Sequence, residues 1–374
     1  MCFCEFERNY AVSNPASYLP SLWEVFFFWG AFSFLSASAM DIVSRHSERY
    51  SLKNQDAMIH YINQVQSSWT AGKNFPDDIS EGYLRQLASA WLPEENDLPS
   101  LPVLNALDDP AHTGADPPAE FDARKKWTNC PSLLHIYDQG NCGSCWAVSV
   151  ASVITDRTCI ATNGAFKDYI SAWNLVCCCT DEEKCSSSCG GGYSAKAFEF
   201  HVKQGIVTGG EFGTNQGCMP YQIKYCSHHM GDKGKYPNCK SYNETVVPVC
   251  VSECPNKGYK IPMNKDKHFG KRAYQVNVAD LKKELVEKGP VTMSFKIYED
   301  FFLYKTGVYH QVTGKKLGGH AVRVLGYGTE NGESYWLVAN SWNPEWGDQG
   351  LFKIRSGTND CNSEENFQTS EPKV

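Results

Sequence analysis

The sequence predicts an α+β protein in two lobes, with its site in the cleft between them. Three observations carry this. After Cys130 the chain is first helical and cysteine-rich: Ala147, Val148, Val150, Ala151, Val153 and Ile154 follow a turn marked by Gly140 and Gly143. Such an apolar run with few breakers is the pattern of a buried helix. Beyond residue 280 the chain is β-rich, with strands expected over 291–298, 307–310, 320–327, 335–339 and 351–355, separated by turn signals. A helical half against a β half leaves a cleft, a common place for a site. Third, all cysteines but Cys2 and Cys4 lie at or beyond Cys130, so the preceding block is a separate module.

Taken in order, residues 25–35 form an apolar run of signal-peptide length, and Ala37-x-Ala39 offers a cleavage site before Met40. The run is too short for a transmembrane helix. Its leader is long and lacks a positive start, since Glu5, Glu7 and Glu24 outweigh Arg8. From 53 to 68, Met58, Ile59, Ile62 and Val65 keep a helical period, which the segment 69–75 breaks. Ser80 can cap a second helix carrying Tyr83, Leu84, Leu87 and Trp91. Residues 93–118, rich in Pro and Asp, read as an exposed linker. A short helix over 280–288 is stopped by Gly289-Pro290. There is no internal repeat and no low-complexity segment.

Composition narrows the function. The chain is 42% apolar and 13% aromatic, enough for a real core, which excludes a disordered chain or a small disulfide knot. A net charge of −7 without any basic tract argues against nucleic acid as a partner. Seventeen cysteines, so clustered, read as a disulfide framework of a non-cytosolic domain, and the odd total leaves at least one thiol over. The spacings show no paired C-x-x-C knuckles or His pairs at zinc intervals, so no metal and no cofactor are expected.

The chemistry centres on Gln139-Gly-Asn-Cys142-Gly-Ser-Cys145-Trp146. Cys145 would sit at a helix N-terminus, where free N–H groups and the dipole favour a thiolate, the nucleophile of acyl transfer. Gln139 could offer an amide N–H to a developing oxyanion. The same residues also fit two structural disulfide halves, or a redox C-x-x-C. Downstream, Gly318-Gly319-His320-Ala321 enters a strand, and Asn340-Ser-Trp342 ends another. A thiol nucleophile needs an adjacent base, and a third group to fix that imidazole's tautomer. His320 and Asn340 supply both, with Trp342 shielding their bond from water.

With these residues in view, the chain resembles the papain-like cysteine proteases, and within them the cathepsin B type, over nearly everything from Lys53 to Cys361. Segment 120–127 is similar to the family's mature N-terminus. Asp138–Gly140, Cys142–Trp146, Gly191-Gly192-Tyr193, Gly318–Ala321 and Asn340–Trp342 are similar to its active-site segments, and 69–75 with 83–87 to the short cathepsin B propeptide. Cys226-Ser-His228-His229, closed by Cys239, resembles the occluding loop of cathepsin B-like enzymes.

The resemblance implies a papain-like fold, with a helical N-terminal lobe and a β-barrel-like C-terminal lobe. It implies a leader and signal over 1–39, an inhibitory propeptide over 40–116, and a catalytic domain over 117–374 with the loop at about 226–239. Cys145, His320, Asn340 and Gln139 would be catalytic; Gly191, Gly192, Gly319, Trp342 and Asn366 would bind substrate. His228 and His229 would receive a substrate's C-terminal carboxylate, giving dipeptide release beside endopeptidase activity, with Asp138 latching the loop. The implied disulfides are Cys130–Cys159, Cys142–Cys189, Cys178–Cys250, Cys179–Cys185, Cys218–Cys254 and Cys226–Cys239. Cys145 stays free, which removes the redox reading, and Cys177 and Cys361 have no assigned state. Implied partners are protein and peptide substrates, the chain's own propeptide and cystatin-type inhibitors, with no membrane span in the mature form, in the lysosome or outside the cell.

Departures from the family pattern bear on function. Val148 stands where the family has phenylalanine, Gly190 where it has asparagine, and Asn366 where cathepsin B has the acidic residue that accepts arginine, with Glu365 one place away. They keep open the alternative of a catalytically weak homologue that serves as a binding or scaffold protein. Asn243-Glu-Thr245 is an N-glycosylation sequon.

Overall fold

The computed structural model describes residues 51–93, 101–104, 116–180, 185–227 and 248–374, all within one compact unit, Arg49–Val374. The signal run, His228, His229, Cys239 and Asn243 lie outside the described residues.

The helices are α1 (Gln55–Val65), α2 (Glu81–Leu87), α3 (Ala123–Lys126), α4 (Cys145–Ala161), α5 (Ala172–Cys178), α6 (Ser194–Lys203) and α7 (Val278–Lys288). The strands are β1 (Trp69–Ala71), β2 (Val103–Leu104), β3 (Phe121–Asp122), β4 (Gly270–Val276), β5 (Val291–Tyr298), β6 (Tyr304–Tyr309), β7 (Lys316–Glu330), β8 (Glu333–Ala339), β9 (Leu351–Arg355) and β10 (Phe367–Pro372). They pair in the order β1-β6-β9-β8-β7-β5-β10-β4-β2, with β3 added to β7.

Both ends of that path, β1 and β2, come from the N-terminal module, which thus covers the edge N–H and C=O groups of the sheet. Here the sequence reading needs correction. Residues 93–118 are not wholly an exposed linker: Leu101 is buried and β2 pairs in parallel with β4. Trp91 is not on the second helix, which ends at Leu87, although Ser80 caps it by accepting from the Tyr83 N–H (3.2 Å). Tertiary pairing overrides local composition in both places.

α4 is the axis of the helical lobe, and every residue from Cys145 to Cys159 is buried. An all-buried helix must silence its own polar groups. Ser152, Thr155 and Thr158 do so by donating to backbone carbonyls one turn back, each at 2.7 Å. Its two charges are paired across to the β lobe: Asp156 with Arg323 and Arg157 with Glu284, both at 2.7 Å. Removing one partner of such a pair costs about 3–5 kcal/mol, so these pairs fix how the lobes meet. The β lobe packs Phe295, Phe301, Trp342 and Trp346 in one core, which also takes Met58, Ile62, Trp69, Phe75 and Leu87 from the N-terminal module.

Five disulfides brace the helical lobe: Cys130–Cys159, Cys142–Cys189, Cys178–Cys250, Cys179–Cys185 and Cys218–Cys254. Cys226 is also disulfide-bonded. Among the described residues Cys145, Cys177 and Cys361 are free. No helix there is long and apolar enough to cross a membrane.

Candidate active site

Three elements bring the site together. The disulfide Cys142–Cys189 and the Ser144 cap position set the start of α4, so that Cys145 opens its first turn. β7 presents His320, paired in register with Phe295 of β5. β8 pairs Ala339 with Arg323, and the next residue, Asn340, turns back to the imidazole.

Asn340 Oδ1 accepts from His320 Nε2 at 2.8 Å and from the Ser341 N–H at 2.8 Å. The Trp342 ring covers the imidazole with centroids 4.8 Å apart, and all three residues are buried. With Nε2 so committed, Nδ1 is the nitrogen left for the thiol; it makes no hydrogen bond of good geometry, yet the imidazole is near enough to act on Cys145. Burial pushes the Cys145 thiol up, but His320, the Ala321 backbone and Ser89 together bring it from 9.0 down to about 7. The arrangement can therefore deliver a thiolate beside an imidazole near neutral pH.

Gln139 is fully buried, with its amide oriented from both ends. Its Oε1 accepts from Ser341 Oγ (2.7 Å), and its Nε2 donates to Cys142 O (2.9 Å) and Leu87 O (3.3 Å). Tyr221 supports the same turn, donating from its hydroxyl to Gln139 O (3.0 Å) and touching Ser144 Oγ at 2.6 Å. Ser341 was within the sequence motif but given no role; Tyr221 carried no sequence signal.

The cleft is filled by the chain itself. Ala90 donates to Gly319 O (3.0 Å), Trp91 donates to Gly192 O (2.9 Å), and Gly192 donates back to Ser89 O (3.2 Å). The segment thus threads a slot whose two walls are backbone. A Cβ on Gly319 would come within 2.3 Å of Ala90 O, and one on Gly191, at φ +115°, within 2.5 Å of Ser89 O. Ser89 Oγ lies 3.6 Å from Cys145 Sγ, so a hydroxyl, not a peptide carbonyl, faces the thiol. Glu81 and Lys315 (2.6 Å) and Arg85 with Leu317 O (2.6 Å) pin α2 to the rim.

Of the remaining candidates, Asn366 lines the groove beside Ser294, Lys296 and Gly319, a space of about 1360 Å³. Glu365 also borders it, but its Oε1 accepts from Asn359 (2.9 Å) and Asn362 (2.6 Å). Asp138 is buried: Oδ1 accepts from the Gly140 N–H (2.8 Å), Oδ2 from the Cys226 N–H (3.3 Å) and Asn343 Nδ2 (3.2 Å). It thereby holds the residue at which the expected loop begins. The expected His228 contact lies outside the described residues.

The family model for papain family cysteine proteases matches residues 117–370, and that for the peptidase family C1 propeptide matches residues 54–88. Cathepsin B-like cysteine proteinase 4 of Caenorhabditis elegans is 42% identical over 324 residues, 86% of this chain and 93% of that one. The cathepsin B-like cysteine proteinase of Schistosoma japonicum is 43% identical over 251 residues, 66% of this chain and 71% of that one. Among solved structures, procathepsin B S9 from Trypanosoma congolense superposes with a TM-score of 0.71 at 33% identity, covering 86% of this chain and 99% of that one. A procathepsin L2 proteinase from Tenebrio molitor larval midgut does so at 0.62 and 25% identity, covering 94% and 100%.

Proposed function

Because this chain belongs to the papain family of cysteine proteases, and within it is a cathepsin B-like cysteine peptidase carrying its propeptide, we propose that Cys145 and His320 do the bond-breaking. The observation that carries this is the His320–Asn340 bond beside a thiol brought down to about 7. Cys145 attacks the peptide carbonyl, and the imidazolium of His320 gives its proton to the leaving amine. The Gln139 amide and the Cys145 backbone N–H take the oxyanion, and water then releases the acyl group. Asn340 orients and does not react, so Asn340→Ala should keep partial activity where His320→Ala keeps none; steady-state kinetics on one peptide substrate checks the contrast. The scaffold-protein reading is not favoured, since Cys145, His320, Asn340 and Gln139 are all in place.

The propeptide reading covers 40–116, followed by the catalytic domain to 374, after a leader and signal over 1–39. Cystatin-type inhibitors as partners, and a lysosomal or extracellular location, belong to the same proposal; the disulfide-rich helical lobe supports the location.

The specificity reading rests on Asn366. A neutral amide there, with Lys296 on the same groove, leaves arginine two residues before the cut only Glu365, whose Oε1 is already taken by two asparagines. Substrates with a hydrophobic residue at that place should be preferred. Asn366→Glu should recover roughly 1–3 kcal/mol of arginine preference in kcat/KM. An unchanged ratio in a paired-substrate assay would move the position to Glu365.

The loop from Cys226 is the proposed exopeptidase device, with His228 and His229 taking the terminal carboxylate. Asp138 supports its first residue. Asp138→Ala or His228→Ala should raise endopeptidase activity, and His229→Ala should mainly remove dipeptide release. Paired substrates with free and amidated C-termini read this directly; equal cutting of both by wild type and variants alike would end the reading.

A further inference from the structure

Beside Asn340 lies a void of about 10 Å³ lined by Tyr137, Val148, Ser149, Ser152, Arg323 and Asn340, among others. Three of these residues carry a buried polar atom without a hydrogen-bond partner: Asn340 Nδ2, Arg323 Nε and Tyr137 Oη. Their exposures are 3%, 2% and 7%, so bulk water does not satisfy them. Buried polar groups in native proteins are nearly always paired, and three orphans around one space are an exception that needs an occupant.

We propose that this void is a hydration site for one internal water, and that the water is part of the device that orients the imidazole. The volume is that of a single water. The valences also balance. Asn340 Nδ2 and Arg323 Nε can only donate, and a water accepts two such bonds. Its own two hydrogens then go to Tyr137 Oη and a serine hydroxyl: Ser149 and Ser152 already donate to Trp146 O and Ser149 O, and keep lone pairs to accept. A halide would satisfy the donors only. It would also meet a guanidinium already neutralised by Asp156 at 2.7 Å.

The consequence falls on Asn340. Its Oδ1 faces the imidazole only while the amide keeps its rotation; flipped, Nδ2 would set donor against the Nε2 donor. The Ser341 N–H holds the oxygen end at 2.8 Å, and the water holds the nitrogen end. The anchor beyond is rigid, because Arg323 is fastened to Asp156, to Ser132 O (3.1 Å) and to His135 O (2.6 Å). Tyr137 and Arg323 are thus positioning residues, acting through a water on Asn340. Val148 leaves the space open.

The inference rests on the proposed role of Asn340, and the test separates the two. The first readout needs no activity: a high-resolution crystal structure of the full-length precursor should show one water bonded to Asn340 Nδ2 and Arg323 Nε. An empty void, or bromide appearing there after a bromide soak, overturns the proposal. The second uses self-processed enzyme. Val148→Ile, which adds one methyl group to the space, and Tyr137→Phe, which removes one partner, should lower kcat by roughly tenfold and threefold with KM within about twofold. Unchanged kcat in both, with Asn340→Ala still impaired, overturns the hydration site alone. Full activity in Asn340→Ala overturns the orienting role itself.

Discussion

Cys145→Ala should yield a stable precursor that neither hydrolyses peptides nor trims itself, with activity down by at least ~10⁴-fold. The thiol is the only group at the site able to form the acyl-enzyme: Ser89, the nearest hydroxyl, belongs to the segment that blocks the cleft, and Ser341 Oγ is donated to Gln139. The fold should survive, because alanine leaves α4 and its buried pairs untouched. Stability carries a pH signature as well. A thiol held at about 7 against an ordinary 9.0 contributes stability that is fully present above 9 and is lost as pH falls through 7. The melting temperatures of wild type and variant, plotted as a difference, should therefore separate progressively from pH 7 to 9. Residual peptidase activity in a pure variant would remove Cys145 from its role, and a flat difference would show that the precursor thiol is not held below its ordinary value. Cys145 is fully buried under Ser89, so a thiol-directed probe should label the processed enzyme and spare the precursor.

The legible part of this protein is what short range dictates. The glycine turn, the apolar run and the position of Cys145 at the start of a helix are local properties, and α4 begins at Cys145. β5 and β9 coincide with the expected 291–298 and 351–355, because alternation and turn residues bound them on both sides. β10 was missed for a physical reason: its sequence Phe-Gln-Thr-Ser-Glu-Pro has no apolar alternation, and Gln368, Thr369 and Ser370 are buried by pairing with β4 and β5. β4 was hidden by Lys271 and Arg272, whose charges are met by Glu371 across the strand pair. The course of Ser89–Trp91 through the cleft could not be read at all. It depends on Gly192 and Gly319, each more than a hundred residues away, and no local pattern encodes such a meeting. A separation of 82 residues likewise hides Tyr221 behind Gln139.

Gln139→Ala should lower kcat by about 10²–10³-fold while KM changes little, the cost of losing one preorganised oxyanion donor, about 2.7–4 kcal/mol. The geometry argues for a group held ready before substrate arrives. Ser341 Oγ fixes the amide oxygen at 2.7 Å, Cys142 O takes one N–H at 2.9 Å, and the other N–H points at Leu87 O at the longer 3.3 Å. Leu87 is part of the propeptide helix α2. When that helix leaves, the second N–H loses its only acceptor in a buried site and is free for the oxyanion. Gln139→Glu should be worse than alanine, since it places a negative charge where negative charge develops and sets a carboxylate oxygen against Cys142 O, which now accepts from the amide. Because the amide does not touch the thiol–imidazole pair, alkylation of Cys145 by a small neutral reagent should proceed at the wild-type rate in the processed Gln139→Ala enzyme. Loss of that alkylation together with kcat would show that the residue supports the fold of the turn. Loss of kcat with alkylation intact assigns it to the transition state.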